Sequence, residues 1–187
     1  MPVDSLADRR GRLTPQIQDI LQLTLTEGGQ LQAIVDRFVA GYQQAQAAVT
    51  HRVEPTPEDL SGHRVEDTRV FAVESTAQAV DELRQRFFSE LSTLLGVDRF
   101  AIFQRGLEYW MPRDEEPAGL NSGLAVIPLA HRMRFYRPTD ANFWWGISQG
   151  VGTMNLTMDP AEVPDFLRED LRDWIEEAQR LKAQPQP

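Results

Sequence analysis

The stretch Ser75–Phe103, STAQAVDELRQRFFSELSTLLGVDRFAIF, decides the fold of this chain. Its apolar residues recur every three or four positions, which aligns them along one face of an α-helix: Val80, Leu83, Phe87, Leu91, Leu94 and Leu95. Ser75 is a suitable N-cap residue, and Gly96 can adopt the left-handed conformation that ends a helix. The stretch therefore predicts a buried helix that stops at Gly96 and a second helix that Asp98 caps.

Outside this stretch, three more segments have helical spacing. A short helix is predicted over Leu13–Leu25 and a longer one over Leu31–Ala45, each with apolar residues along one face. The last segment, from about Ala161 to Lys182, carries a continuous apolar stripe opposite a charged face. The chain thus has three long amphipathic helices, counting the one that ends at Gly96.

Five other segments have the composition or alternation of β-strands: Val49–Glu54, Arg69–Glu74, Leu124–Arg137, Phe143–Ser148 and Val151–Met158. Gln149 and Gly150 favour a hairpin turn between the last two. Pro128 weakens the first half of the third segment, which predicts an edge strand or two strands with a bulge. The polar composition of Glu54–Asp67 predicts a loop.

Helices, strands and a closing helix in this order are typical of an α+β fold. We predict an antiparallel sheet of four to five strands covered by the three long amphipathic helices. Residues 13–182 are expected to form a single domain, with flexible segments at 1–12 and 183–187.

Composition excludes several classes of function. The net charge of -9 is unfavourable for binding nucleic acid or an anionic membrane surface. The absence of cysteine excludes disulfides, thiolate metal sites and cysteine nucleophiles. Lys182 is the only lysine, and the three histidines are far apart in sequence, so we predict no cofactor and no metal site.

No targeting or membrane segment is evident in the sequence. The longest apolar runs are much shorter than the roughly 20 residues that a membrane span needs, and the N-terminus lacks a signal-peptide core. We therefore expect a soluble, bacterial-type protein. The sequence is compatible with the cytoplasm and with the bacterial envelope.

Aromatic residues form the most distinctive surface candidate. Phe143, Trp144 and Trp145 are consecutive, and strand alternation places Trp144 on the opposite face from its two neighbours. Either both faces of the sheet are covered there, or one face exposes an aromatic patch together with Tyr136. An exposed patch of this kind usually marks a binding surface.

A short basic stretch lies near these aromatic residues. Arg132, Arg134 and Arg137 could bind a carboxylate or phosphate through bidentate contacts. More often, arginines in such a position simply charge an edge strand and prevent aggregation between sheets. The candidate binding residues are therefore Tyr136, Trp144, Trp145, Arg132 and Arg134.

The leading functional hypothesis is a non-catalytic binding or regulatory module that contacts a protein or a small apolar ligand. One alternative is a small hydrolase or isomerase that uses His131 with acids from Asp114–Glu116. His131 lies on an otherwise apolar strand face, which also suits a hydrogen-bonded core histidine. A second alternative is a structural or oligomerisation domain, such as a homodimer that pairs through the last helix.

The N-terminal helices resemble the periplasmic Spy/CpxP-type proteins, whose helices carry L-T-x-x-Q motifs. Leu13-Thr14-Pro15-Gln16 has its glutamine one position early, and Leu25-Thr26-Glu27-Gly28-Gly29 has glycine where the glutamine belongs. Proteins of that type are helical throughout, whereas residues 124–158 are predicted here as strands. The resemblance covers less than a third of the chain and implies no site residue.

Overall fold

The computed structural model describes residues 12–60, 63–110, 129–139, 143–149 and 152–183. In chain order the elements are α1 (Pro15–Ile20), α2 (Leu25–Ala48), β1 (Thr50–Val53), α3 (Pro57–Leu60), β2 (Thr68–Val73), α4 (Ala77–Trp110), β3 (His131–Tyr136), β4 (Phe143–Gln149), β5 (Gly152–Met158) and α5 (Arg172–Ala183). The predicted flexible ends fall outside the described residues, apart from Arg12 and Ala183.

The chain divides into two compact units. Unit 1 contains Met1–Ala45 and Ala77–Pro128, and therefore α1, most of α2 and α4. Unit 2 contains Gln46–Thr76 and Leu129–Pro187, and therefore the five strands, α3 and α5. Two of the three long helices thus belong to unit 1.

The core of unit 1 is apolar and draws on all three of its helices. The buried residues are Leu13, Ile17, Leu21, Leu31, Ile34, Val35, Phe38, Phe87, Leu91, Leu95 and Phe103. Phe87 lies near the centre of an aromatic group, with ring centroids 4.7 Å from Phe38 and 6.5 Å from Phe103. The predicted apolar face of Ser75–Phe103 is therefore the face that packs.

Gly96 interrupts α4 as the sequence predicts. Its backbone angles, φ 70° and ψ 174°, are non-helical, and two helical segments meet there. This region of backbone space is almost exclusive to glycine, because a Cβ atom would clash with the adjacent peptide groups.

We expect Gly96→Ala to destabilise the protein by about 1–3 kcal/mol through backbone strain. Gly29→Ala is the matched control. Apart from the adjacent backbone and chain neighbours, no heavy atom of the described residues lies within 4 Å of a Cβ placed at either glycine, and Gly29 lacks the positive φ. Alanine should therefore stabilise α2 at Gly29, by up to about 1 kcal/mol. Urea unfolding of both variants checks this, and an equal effect at the two sites would contradict it.

The sheet of unit 2 is fully antiparallel, and its strands are ordered β1-β2-β3-β4-β5. The predicted hairpin is confirmed, since Gln149 pairs with Gly152. The prediction of an edge strand is wrong for the described part of that segment, whereas the alternative, two strands with a bulge, stays a prediction because residues 124–128 lie outside the described residues. β3 is the central strand, because it begins at His131, beyond the weakening effect of Pro128.

Strand register gives the sheet two chemically different faces. The face that we call the arginine face carries Thr68, Val70, Ala72, Arg132, Arg134, Tyr136, Trp144 and Gly146. The opposite face, which we call the histidine face, carries Arg69, Phe71, Val73, His131, Met133, Phe135, Trp145 and Ile147. The predicted alternation along β3 and β4 is therefore confirmed.

α5 packs on the histidine face within unit 2. The Arg69 guanidinium lies 4.0 Å from the centroid of the Trp174 ring and binds both carboxylate oxygens of Asp173 at 2.6 Å. The predicted helix over Ala161–Lys182 is wrong in its first half. Two 3₁₀ turns, Pro160–Glu162 and Asp165–Leu167, precede α5, because Pro164 forces the residue before it into an extended conformation.

The predicted α+β class with a five-stranded antiparallel sheet is confirmed. Within the part of the chain that the structure describes, no helix has the length and apolar character needed to cross a membrane.

Candidate functional site

An open cavity of about 670 Å³ lies in unit 2, near the point where β3 ends and β4 begins. Three of the described lining residues carry aromatic rings: His63, Tyr136 and Trp144. Tyr136 and Trp144 are cross-strand partners in the register of β3 and β4, so they are neighbours on the arginine face. The fold thus brings together two of the five predicted binding residues.

The three rings differ in their exposure. Tyr136 is buried, because the His63 ring stacks on it with centroids 4.1 Å apart, and its hydroxyl donates to the Asp59 carbonyl at 3.2 Å. Trp144 remains 44% exposed. Tyr136 is therefore a fixed part of the cavity wall, whereas Trp144 offers apolar surface that solvent or a ligand can reach.

Charged groups also line the cavity. Arg137 donates from Nε to Glu177 Oε2 at 3.0 Å and from Nη2 to Glu177 Oε1 at 3.3 Å. These hydrogen bonds raise the pKa of Arg137 above its usual value, so the guanidinium stays charged. Asp67 Oδ1 lies 3.9 Å from Arg137 Nη1, too far for a hydrogen bond. The small side chains of Pro138 and Thr139 complete the described lining.

Arg132 and Arg134, both predicted to bind a ligand, are held by α3 on the same face. Arg132 donates from Nε and Nη2 to the two carboxylate oxygens of Asp59, at 3.1 and 2.6 Å. Arg134 is only 2% exposed and donates from Nη1 to the Glu58 carbonyl at 3.2 Å. An external carboxylate or phosphate would have to compete with Asp59 for Arg132.

Asp59 is the buried acceptor that organises this contact. It is 2% exposed and also accepts from the Thr56 amide at 2.8 Å and the Thr56 hydroxyl at 2.9 Å. Burial alone would raise the pKa of the Asp59 carboxyl, but the bonds from Arg132 and Thr56 outweigh it. The net effect holds the pKa below its usual value.

The predicted loop Glu54–Asp67 therefore contains a helical turn that its polar composition concealed. The signal that could have revealed it is Thr56-Pro57-Glu58-Asp59. A capping threonine, a proline at the first helical position and an acidic residue three positions after the cap are typical of a helix start.

Trp145, the remaining predicted binding residue, lies on the histidine face. Its ring is stacked on Phe135 with centroids 6.2 Å apart and an interplanar angle of 18°. It is half-buried and does not line the cavity.

His131 also lies on the histidine face and is 5% exposed. Burial lowers the pKa of its imidazole, although a hydrogen bond with the Leu129 carbonyl at 2.9 Å acts in the opposite direction. The ring is therefore neutral near pH 7, with no hydrogen-bond partner for Nε2 among the described residues. The acids of Asp114–Glu116 that were predicted to act with it lie outside the described residues.

Among the charged and aromatic residues of the described lining, His63, Asp67 and Glu177 were not predicted from the sequence. His63 and Asp67 come from one segment, whereas Glu177 comes from α5. His63 stacks on Tyr136, and Asp67 and Glu177 both lie beside Arg137, whose amide donates to the Asp67 carbonyl at 2.9 Å. No local sequence pattern predicts that these residues lie close together. Among the described residues, no group of three or more histidine, aspartate or glutamate side chains is arranged to hold a metal ion.

The two segments that resemble Spy/CpxP-type motifs lie at the starts of α1 and α2. The resemblance stays a prediction. Comparison of the chain with protein-family models, curated proteins and solved structures finds no match in any of the three.

Proposed function

We propose that this protein is a non-catalytic binding module that takes an apolar group of a protein or small ligand into the cavity beside Trp144. The observation that supports this proposal is a tryptophan, 44% exposed, in the wall of an open cavity of about 670 Å³. Ligand cavities are typically about 300–1,000 Å³ and combine aromatic surface with a few polar groups. This cavity has both.

Rigid surroundings favour such a role. The stacking of His63 on Tyr136 and the hydrogen bond from Tyr136 to Asp59 fix the buried ring without help from a ligand. The two hydrogen bonds from Arg137 to Glu177 likewise fix these two charged side chains of the cavity wall. A preformed wall reduces the ordering cost of binding, so even a small contact area can give measurable affinity.

We expect Trp144→Ala to abolish binding while lowering the free energy of unfolding by less than about 1 kcal/mol, since the side chain is largely at the surface. Ligand-observed NMR with a library of small aromatic and aliphatic fragments measures binding to the wild type and the variant. Acrylamide quenching measures the loss of an accessible tryptophan, and urea unfolding measures stability.

Ile102→Ala is the matched control for this experiment. Ile102 is 45% exposed, close to the value for Trp144, but it lies on α4 in unit 1. Fragments that bind the cavity should bind this variant as they bind the wild type. The proposal fails if no fragment depends on Trp144, or if Trp144→Ala unfolds the protein as a core substitution would.

The two alternatives have less support. An acid/base role for His131 has to use a neutral imidazole that is almost fully buried. Pairing through the apolar stripe of the last helix has to use side chains that are already buried within the chain, among them Trp174, Ile175 and Ala178. Both alternatives stay predictions.

A further inference from the structure

We infer that the group this cavity takes is an organic cation, an alkylammonium or guanidinium head that pairs with Asp67 and lies against the Trp144 ring. This inference rests on the proposed function and adds the charge of the ligand to it. The observation behind it is the imbalance of charge in the cavity wall.

The described lining has two carboxylates and one guanidinium. Glu177 accepts two hydrogen bonds from Arg137, at 3.0 and 3.3 Å. Asp67 is left with a contact of 3.9 Å to the same guanidinium, and its side chain is 34% exposed. The cavity therefore contains a carboxylate without a hydrogen-bonded cation among the described residues.

Trp144 supplies the second half of the site. The face of an indole ring attracts cations more strongly than that of tyrosine or phenylalanine, because its electron density is the largest. Its exposure leaves this ring accessible. A methylated ammonium or a guanidinium is weakly hydrated, so it can contact the ring and the carboxylate together at little desolvation cost.

Other ligand classes fit this wall less well. An anion would approach two carboxylates, and the most basic group is already paired with one of them. An inorganic cation needs several oxygen ligands, whereas much of this wall is ring surface. A neutral ligand would leave the Asp67 carboxylate without a cation as its partner. The net charge of -9 also favours the approach of cations.

Choline and 3,3-dimethyl-1-butanol test the inference, because they share a shape and differ only in charge. Their binding to the full chain is followed by saturation-transfer NMR of the methyl signals and by tryptophan fluorescence. We expect choline to bind at least tenfold more tightly than the neutral isostere. A blocked glycine–trimethyllysine–glycine peptide is measured in the same way, and it shows whether the protein prefers a free cation or one within a polypeptide. Tighter binding of either cation than of the isostere supports the inference.

Two aspartate variants identify the carboxylate. Asp67→Asn should weaken choline binding at least fivefold and leave the isostere unchanged. Asp165→Asn is the control, since Asp165 is an exposed carboxylate that is hydrogen-bonded to Arg168 and does not line the cavity. It removes the same charge and should change choline binding by less than twofold.

The outcomes separate the inference from the proposed function. Equal, Trp144-dependent binding of choline and the isostere overturns the cationic ligand and leaves the binding module standing. Equal effects of Asp67→Asn and Asp165→Asn also overturn the inference, because choline would then respond to net charge alone. Absence of any Trp144-dependent binding of choline, peptide or isostere overturns the inference, and the fragment experiment then decides the proposed function separately.

Discussion

We expect Asp59→Ala to lower the free energy of unfolding by about 3 kcal/mol, because the buried Asp59 carboxylate is the shared acceptor for Arg132, which is 33% exposed, and for Thr56. Asp59 is almost fully buried and accepts two hydrogen bonds from Arg132 and two from Thr56. Its loss orphans four donors at once. Urea unfolding at pH 7 measures the effect.

Asp173→Ala is the control for burial. Asp173 is also bound by an arginine through two hydrogen bonds, but its side chain is 65% exposed. Asp173 itself is exposed, and Arg69 keeps its hydrogen bond to the Asp170 carbonyl, so this variant should lose less than about 1 kcal/mol. Equal losses in the two variants would show that burial of Asp59 is not the cause.

The contribution of the Asp59 carboxylate to the free energy of unfolding should also depend on pH. The folded-state pKa of Asp59 lies below its ordinary value of 3.8, so the folded protein holds this proton less tightly than the unfolded chain does. The carboxylate therefore stabilises the fold fully above pH 3.8, and this contribution falls as the pH drops through the folded-state pKa. The stability difference between the wild type and Asp59→Asn should shrink over the same range. A constant difference from pH 7 to pH 2 would contradict the prediction.

Phe87→Ala should lower the free energy of unfolding by about 3–5 kcal/mol, the usual cost of emptying a buried aromatic site. Phe87 is 2% exposed and its ring contacts those of Phe38, Phe88 and Phe103. Truncation therefore leaves a cavity bounded by rigid rings and removes three aromatic contacts. Urea unfolding with an unchanged m value measures the loss.

Two further variants serve as comparisons for the loss of stability in Phe87→Ala. Phe87→Leu keeps most of the volume and should lose less than about 1.5 kcal/mol. Phe88→Ala removes a half-buried neighbour, so its loss should lie clearly below that of Phe87→Ala. If Phe88→Ala costs as much as Phe87→Ala, the aromatic group is not centred on Phe87.

Local patterns predicted much of this fold because each depends on neighbouring residues. The break at Gly96 follows from the backbone freedom of glycine, and the pairing of β4 with β5 agrees with the hairpin that Gln149 and Gly150 predict. The opposite faces of Trp144 and Trp145 follow from strand alternation. The shortened final helix shows the converse, because Pro164 interrupts the helix that the apolar stripe alone predicts.

The candidate site was only partly predictable for a physical reason. Tyr136 and Trp144 could be named because two adjacent strands place them side by side. The hydrogen bonds from Arg132 to Asp59 could not be predicted, because the two residues are 73 positions apart and come together only in the folded chain. The same holds for Arg137 and Glu177, which are 40 positions apart.

The strand order carries a consequence for the rate of folding. β3, β4 and β5 are joined by short connections, whereas residues 74–130 separate β2 from its partner β3. Each doubling of a loop adds about 0.6 kcal/mol to the entropy cost of closing it, so this closure costs about 3 kcal/mol more than a two-residue turn. The three C-terminal strands should therefore pair early. Pairing of β2 with β3 should come later and limit the rate at which the sheet is completed.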